Sequence, residues 1–116
     1  MMRILVCGGR TYNDREVVFG VLHGLAEKHG WLTIIEGGAL GADRLAREWA
    51  KLCYHGVVTV DADWQQYGTA AGPMRNNLML TSGQPDLVVA FPGGKGTADM
   101  VKKARLMGVN VLEVPI

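Results

Sequence analysis

The stretch Pro92-Gly93-Gly94-Lys95-Gly96-Thr97 decides how this chain folds. It follows an apolar run at residues 86–91 and precedes a segment with apolar residues at helical spacing. This pattern predicts a buried strand, a turn through glycines, and a helix whose N-cap is the hydroxyl of Thr97. Glycine permits close approach of a ligand, and a helix start offers free N–H groups to an anion. The stretch therefore predicts either an anion-binding loop or a tight turn in which glycine serves geometry alone.

The same arrangement of strand, glycine and helix occurs twice more in the chain. Apolar runs at 3–7 and 32–36 each end at a glycine pair, and helical patterns follow, one of them at 15–29. Further strands are predicted at 57–60 and 109–114. Buried strands alternating with helices are typical of a parallel sheet covered on both faces, and five strands are too few for a barrel. The chain is therefore predicted to form one Rossmann-like three-layer α/β domain over residues 1–116, an open five-stranded parallel sheet in the order 3-2-1-4-5.

The apolar spacing of the last two predicted helices also assigns their buried faces. In the segment that begins at Pro73, Met74 and Leu78 are predicted to face the core. In the segment from Thr97 to Met107, the predicted inward residues include Met100 and Met107.

Composition limits the classes of partner. The formal charge of +1 on 116 residues argues against a chain held to nucleic acid by bulk electrostatics. No 18-residue apolar run and no signal-like start is present, which favours a cytoplasmic protein without a membrane partner. Cys7 and Cys53 lack metal or redox spacing and are predicted to be reduced. Asp61 and Asp63 alternate across a strand end, so their side chains diverge; neither a metal nor a cofactor is predicted.

Ligands of open α/β sheets bind outside the carboxyl ends of the strands, where the strand order reverses. In the predicted order, that point lies between the first and fourth strands. Three glycine clusters fall at strand carboxyl ends and are predicted to line one crevice: Gly8 and Gly9; Gly37, Gly38 and Gly41; and Gly93, Gly94 and Gly96. None is the full G-x-G-x-x-G fingerprint or a phosphate loop ending in G-K-[ST], which argues against an ATPase.

Five side chains near these loops are candidates for ligand contacts. Arg10 and Arg75 can reach the strand ends, where a guanidinium would pair with phosphate oxygens or lie solvated. Asp43 is either a helix N-cap or a partner for a ribose hydroxyl. Trp64 and Tyr67 lie on the same loop. Their rings would stack on a base, cover the end of the sheet or form an oligomer contact.

In their order, four motifs resemble those of the SLOG superfamily, in particular its small single-domain YspA-like members. They are Cys7-Gly8-Gly9-Arg10, the stretch 37–43, the stretch 71–76 and the stretch 92–97. The resemblance covers essentially the whole chain, and its relatives include the Lonely Guy phosphoribohydrolases and the Smf DNA-processing proteins. It implies a Rossmann-like pocket for nucleotides or nucleotide-derived ligands. It also implies a homo-oligomer, a dimer or a tetramer.

The enzyme branch of this superfamily carries a catalytic Glu in the motif P-G-G-x-G-T-x-x-E and an Arg on the preceding helix. Arg75 matches the Arg position, whereas the Glu position is occupied by Met100. Methionine can neither stabilise an oxocarbenium-like transition state nor activate water. Glu36, Asp43 and Asp99 are the carboxylates that would have to replace it.

The leading hypothesis is a sensor or sequestering protein that binds a nucleotide-derived phosphorylated ligand. The glycine loops and Thr97 would hold the phosphate, Arg10 and Arg75 would neutralise it, and Asp43 or Asn76 would read the sugar. The alternative is a nucleoside 5′-monophosphate phosphoribohydrolase with a displaced carboxylate, for which the catalytic candidates are Glu36, Asp43 and Arg75. A single-stranded DNA-binding module is a third hypothesis.

Overall fold

Five parallel strands form one open sheet in the computed structural model, which describes residues 2–116. The strands run β3-β2-β1-β4-β5 across the sheet. Their bounds are β1 Met2–Cys7, β2 Leu32–Glu36, β3 Gly56–Thr59, β4 Leu87–Ala90 and β5 Asn110–Glu113. The predicted Rossmann-like architecture and strand order are confirmed, and the order reverses between β1 and β4.

Helices cover both faces of the sheet. Their bounds are α1 Arg15–His29, α2 Ala42–Leu52, α3 Trp64–Tyr67, α4 Ala71–Thr81 and α5 Lys95–Leu106, with a 3₁₀ turn at Gly68–Ala70 between α3 and α4. Successive residues of β1 enter opposite cores, as the two-residue period of a strand requires. Ile4 packs with α1 and α2 on one face, and Leu5 packs with α4 and α5 on the other. Within residues 2–116, no helix is long and apolar enough to cross a membrane.

The start of α5 differs from the prediction. The helix begins at Lys95 with Gly94 as its N-cap, and no side chain within residues 2–116 caps it. Thr97 is thus the third helical residue, and the prediction that it forms the N-cap was wrong. The chain turns into the helix directly after Gly94, so the hydroxyl arrives too late to cap the first turn.

The buried faces of the last two helices also differ from the prediction. Met74 and Leu78 are about half exposed, whereas Met79 and Leu80 fill the core. Apolar residues lie on several sides of α4, so their spacing alone did not define the inward face. Met100 is buried as predicted, but Met107 is half exposed because it lies beyond the end of α5.

Candidate functional site

A cavity of about 1010 Å³ lies at the carboxyl ends of β1 and β4, where the sheet order reverses. Its walls are the loop after β1, the segment from α3 to the start of α4, and the stretch 92–97 with the first turn of α5. The predicted site residues that line it are Gly8, Gly9, Arg10, Asp43, Trp64, Arg75, Asn76, Gly93, Gly94, Gly96 and Thr97. The structure therefore brings residues from three separate loops to one crevice.

The first and third glycine loops are joined directly by their backbones. Gly9 N–H donates to the carbonyl oxygen of Pro92 at 2.9 Å. A Cβ on Gly93 would lie 2.7 Å from the Gly9 nitrogen and 2.9 Å from the Thr97 Cβ. Glycine at position 93 is thus required for the two loops to approach each other, and their contact forms one wall of the cavity.

The glycines of the second loop do not line the cavity. Gly41, at φ +75°, lies against the first loop, and a Cβ there would overlap the carbonyl oxygen of Gly9. A Cβ on Gly37 would be 2.8 Å from the guanidinium carbon of Arg75, and Gly38 lies against Asp61. These three glycines therefore support the cavity from behind, whereas Ala39 of the same loop lines it.

Glu36 also lies behind the cavity. Its side chain is fully buried and does not line the crevice. One carboxylate oxygen accepts hydrogen bonds from Gly38 N–H at 2.7 Å and Arg47 Nη1 at 3.2 Å, and the other accepts from the Thr59 hydroxyl. This network holds Glu36 between β2, β3 and α2.

The first turn of α5 opens into the cavity. Gly94, Lys95, Gly96 and Thr97 all line it, and the first backbone hydrogen bond within the helix is donated by Ala98 N–H to Gly94. The N–H groups before Ala98 have no intrahelical partner and lie at the positive end of the helix dipole. Lys95 adds a cation at this position, so an anion is favoured here.

A hydrogen-bonded chain of polar side chains forms the floor beside α4. Arg75 Nε donates to Asn76 Oδ1 at 3.2 Å, and Asn76 Nδ2 donates to Asp99 Oδ2 at 2.9 Å. Lys103 Nζ lies 2.9 Å from the same Asp99 oxygen. Burial raises the pKa of Asp99, but the hydrogen bonds from Lys103 and Asn76 outweigh burial and leave that pKa below its usual range. Asp99 is therefore an ionised carboxylate at the cavity.

Asp43 forms another part of the floor and is almost fully buried. It is the second residue of α2 and not its N-cap, which is Gly41. Its Oδ2 accepts N–H groups of Gly37 at 3.1 Å and Ala39 at 3.3 Å. Burial raises the pKa of Asp43 to about 6; the Ala39 hydrogen bond opposes this shift and the neighbouring Glu36 charge adds to it.

Cys7 lies at the end of β1 and lines the same floor. It is buried, it is not disulfide-bonded, and Cys53 is free as well. Burial raises the pKa of the Cys7 thiol to about 12, with the Asp43 charge adding and the Arg75 charge opposing. The thiol is thus neutral at physiological pH and acts as a small apolar group.

Aromatic rings stand at the mouth of the cavity. The Arg10 guanidinium lies over the Trp64 ring, 5.1 Å from its centroid, and so joins the loop after β1 to α3. Tyr12 also lines the cavity, its ring 5.5 Å from that of Phe91, whereas Tyr67 does not. The sequence reasoning missed Tyr12, although it is the one aromatic residue between Gly9 and Asp14.

The position of the superfamily's catalytic Glu does not face the cavity. Met100 has no exposed surface and packs in the core between the sheet and α5. The neighbouring residue, Asp99, lines the cavity instead. The structure thus presents a carboxylate one residue before the expected position.

The open parallel sheet, with a cavity at the point where its strand order reverses, defines a Rossmann-like α/β protein with a ligand site between β1 and β4. The chain belongs to the YAcAr family, the YspA, cpYpsA-related SLOG family, whose sequence model matches residues 2–67. The resemblance to the SLOG superfamily is therefore confirmed.

Two curated proteins are similar to this chain in sequence. The chain is 35% identical over 120 residues to the Gene 61 protein of Mycobacterium phage D29, covering 97% of this chain and 95% of that protein. It is 28% identical over 110 residues to the imidazole glycerol phosphate synthase subunit HisF of Wolinella succinogenes, covering 89% of this chain but 42% of that protein.

A solved structure shares the fold. The DNA processing protein A (DprA) of Streptococcus pneumoniae superposes with a TM-score of 0.79 over 100% of this chain and 51% of that chain. The sequence identity is 19%, so the match establishes the fold alone. The chain spans about half the length of that protein.

Proposed function

We propose that the cavity binds a nucleotide or nucleotide-derived ligand that carries a phosphoryl group, and that the chain acts as a sensor or sequestering protein. The observation that carries this proposal is the uncapped start of α5, which opens with Lys95 into a cavity between β1 and β4. Unpaired N–H groups and a cation at one position favour a phosphate. Membership of a SLOG family supports the same class of ligand.

The remaining lining residues have roles that follow from their positions. Arg10 and Arg75 contribute positive charge, and Asn76 holds Arg75 in place through its side-chain oxygen. Trp64 and Tyr12 offer aromatic surface to a base at the mouth. A cavity of about 1010 Å³ has room for a whole nucleotide, since small-molecule sites occupy about 300–1,000 Å³.

Mass spectrometry of the purified protein after mixing with a pooled nucleotide set tests the proposal, followed by calorimetric titration of the retained compound. Lys95→Ala is expected to weaken binding about tenfold or more, because it removes a charged phosphate contact. Lys102→Ala is the matched control, since Lys102 is exposed on α5 and does not line this cavity. Retention of no phosphorylated compound, or equal losses in the two variants, would contradict the proposal.

A second candidate function is hydrolysis of the bound nucleotide at its N-glycosidic bond. Two carboxyl groups of the same cavity favour it: the pKa of Asp43 is raised and that of Asp99 is lowered. Such a separation allows one group to act as an acid and the other as a base. Release of free base, abolished by Asp99→Asn and retained by Glu36→Gln, is the expected result if this function holds.

Three further properties stay predictions: binding of single-stranded DNA, assembly into a homo-oligomer and a cytoplasmic location. A titration with an oligonucleotide at two salt concentrations separates the first of these from small-ligand binding, because phosphate-backbone contacts are salt-dependent.

A further inference from the structure

The strand β5 forms one edge of the sheet, and within residues 2–116 no other strand lies on its outer side. Val114 N–H donates to the carbonyl oxygen of Ala90 at 2.8 Å, so the even-numbered residues of β5 direct their backbone groups to β4. These directions alternate along a strand, and the N–H and C=O groups of Val111 and Glu113 therefore point away from the sheet. Such a row of free groups can pair with another strand.

This edge lacks the features that usually prevent strand pairing. The strand Asn110–Glu113 contains neither lysine nor proline, and it pairs with β4 without a bulge. Its one charge, on Glu113, is balanced by Arg105 at 3.0 Å. Val111 packs with the core beneath α5, so the next side chain, Leu112, lies on the opposite face, where it is 41% exposed. The edge thus combines free backbone groups with an uncovered apolar side chain.

The free backbone groups specify one register in which two copies of the chain can pair. Among the outward-pointing residues, Val109 already donates its N–H to the carbonyl oxygen of Ala104 at 2.9 Å, and Pro115 has no N–H. Antiparallel pairing that sets Val111 opposite the partner's Glu113 uses all the groups that remain, because each such pair exchanges both N–H···O=C bonds. A register that sets Val111 or Glu113 opposite itself would bring Val109 or Pro115 into the ladder and lose bonds.

The side chains agree with this register. The two-fold axis passes between the two copies of Leu112, which form a pair without backbone hydrogen bonds and with Cα atoms about 4.5 Å apart. Each Leu112 would cover the other on the face that is otherwise open. Leu106 and Met107, which precede β5, are 77% and 51% exposed and add apolar surface next to it in the chain. A surface that is complementary to itself in this way is what a two-fold dimer requires.

We infer that two copies of this chain associate through antiparallel pairing of β5, with Leu112 at the two-fold axis, so that their sheets join into one continuous sheet. No residue of β5 lines the cavity between β1 and β4, so this association is independent of the proposed function. The other edge strand, β3, has Val58 as its exposed apolar residue, at 37% exposure, and serves as the control surface.

The first test is sedimentation equilibrium of the parent protein over a range of concentrations, which is expected to show a monomer–dimer equilibrium. Leu112→Lys places two like charges at the axis and removes the apolar pair, so it should raise the dissociation constant about tenfold or more. Val58→Lys is the matched control, because it introduces the same charge at the opposite edge, and it should leave the dissociation constant unchanged. Thermal melting establishes that both variants are folded.

The second test reads the register directly by disulfide cross-linking in a Cys53→Ser background, in which the remaining Cys7 is buried. Leu112→Cys brings two Cα atoms to about 4.5 Å, within the range that a disulfide spans, so oxidation should yield a covalent dimer. Asn110→Cys is the control on the same strand. Its counterpart in the partner lies four residues away along the strand, roughly 13 Å or more, so it should stay uncrosslinked.

Three results would overturn the inference. The first is a protein that stays monomeric at every concentration. The second is a dimer that Leu112→Lys does not weaken, or that Val58→Lys weakens equally. The third is cross-linking of Asn110→Cys as fast as that of Leu112→Cys, which would show that the strands do not pair in this register.

Discussion

The Nη1 group of Arg75 donates a hydrogen bond to the carbonyl oxygen of Gly37 at 2.6 Å. This bond joins α4 to the loop after β2 and fixes the guanidinium beside the cavity floor. The absent side chain of Gly37 makes room for it, because a Cβ there would be 2.8 Å from the guanidinium carbon. A glycine predicted from the sequence to touch a ligand thus instead positions an arginine that does line the cavity.

The first prediction concerns this pair. Gly37→Ala is expected to displace the flexible guanidinium, so ligand affinity should fall about as much as in Arg75→Ala. The double variant should lose no more than either single variant, because both changes remove one interaction. Calorimetric titration of all three variants measures this coupling. Additive losses would show that Gly37 and Arg75 contribute independently.

The second prediction concerns the glycine that joins two loops. Gly41→Ala combines a positive φ with overlap of the Gly9 carbonyl, a backbone group that cannot rotate away. The expected loss in free energy of unfolding is about 3 kcal/mol or more. Gly24→Ala is the control, because Gly24 is exposed in α1 and a Cβ at that position would have no neighbouring atom within 4 Å. This variant should raise the free energy of unfolding by about 0.5–1 kcal/mol. Urea denaturation compares the two; a small effect at Gly41 would mean that the loops can separate.

The third prediction concerns the stability cost of Asp43. The pKa of Asp43 rises from 3.8 to about 6 on folding. This rise corresponds to roughly 3 kcal/mol by which folding disfavours the ionised carboxylate. Below pH 3.8 the carboxyl group is protonated in both the folded and the unfolded protein, so it does not lower the free energy of unfolding. Stability is then lost as pH rises to about 6, where the full cost applies. Asp43→Asn should therefore be more stable than the parent at pH 8 but not at pH 3.5.

Urea denaturation at the two pH values checks this difference. Glu48→Gln, at an exposed ion pair on α2, is the control and should change stability by less than about 1 kcal/mol at either pH. If Asp43→Asn is less stable than the parent protein at pH 8, the ionised carboxylate stabilises the fold and the prediction is wrong.

The fourth prediction concerns the two thiols. Only a thiolate is nucleophilic, and the pKa of Cys7 is raised to about 12 in a buried position. Iodoacetamide at pH 8 should therefore alkylate the half-buried Cys53 first and leave Cys7 unmodified until denaturant is added. Peptide mass spectrometry measures both rates. Rapid modification of Cys7 in the native protein would mean that the floor of the cavity is more open or more positively charged.

The sequence by itself determined the sheet and the location of the site. Continuous apolar runs such as 32–36 belong to strands buried on both faces, and short strand–helix repeats leave a parallel sheet as the packing that covers them. Parallel strands place all their carboxyl ends at one edge, so the glycine loops and the site had to meet there. These results follow from local pattern and from rules of chain connection.

Only the tertiary structure decided what each residue does at that edge. Gly37 and Gly93 each begin a glycine cluster after a strand, so the sequence does not distinguish them. In the structure, Gly37 makes room for Arg75, whereas Gly93 borders the cavity. No motif marks His55, yet its ring stacks on Trp49 with centroids 4.5 Å apart and its Nδ1 accepts the N–H of Leu32. The physical reason is that burial, pKa and hydrogen bonding depend on contacts between residues far apart in the chain, and no local pattern encodes those contacts.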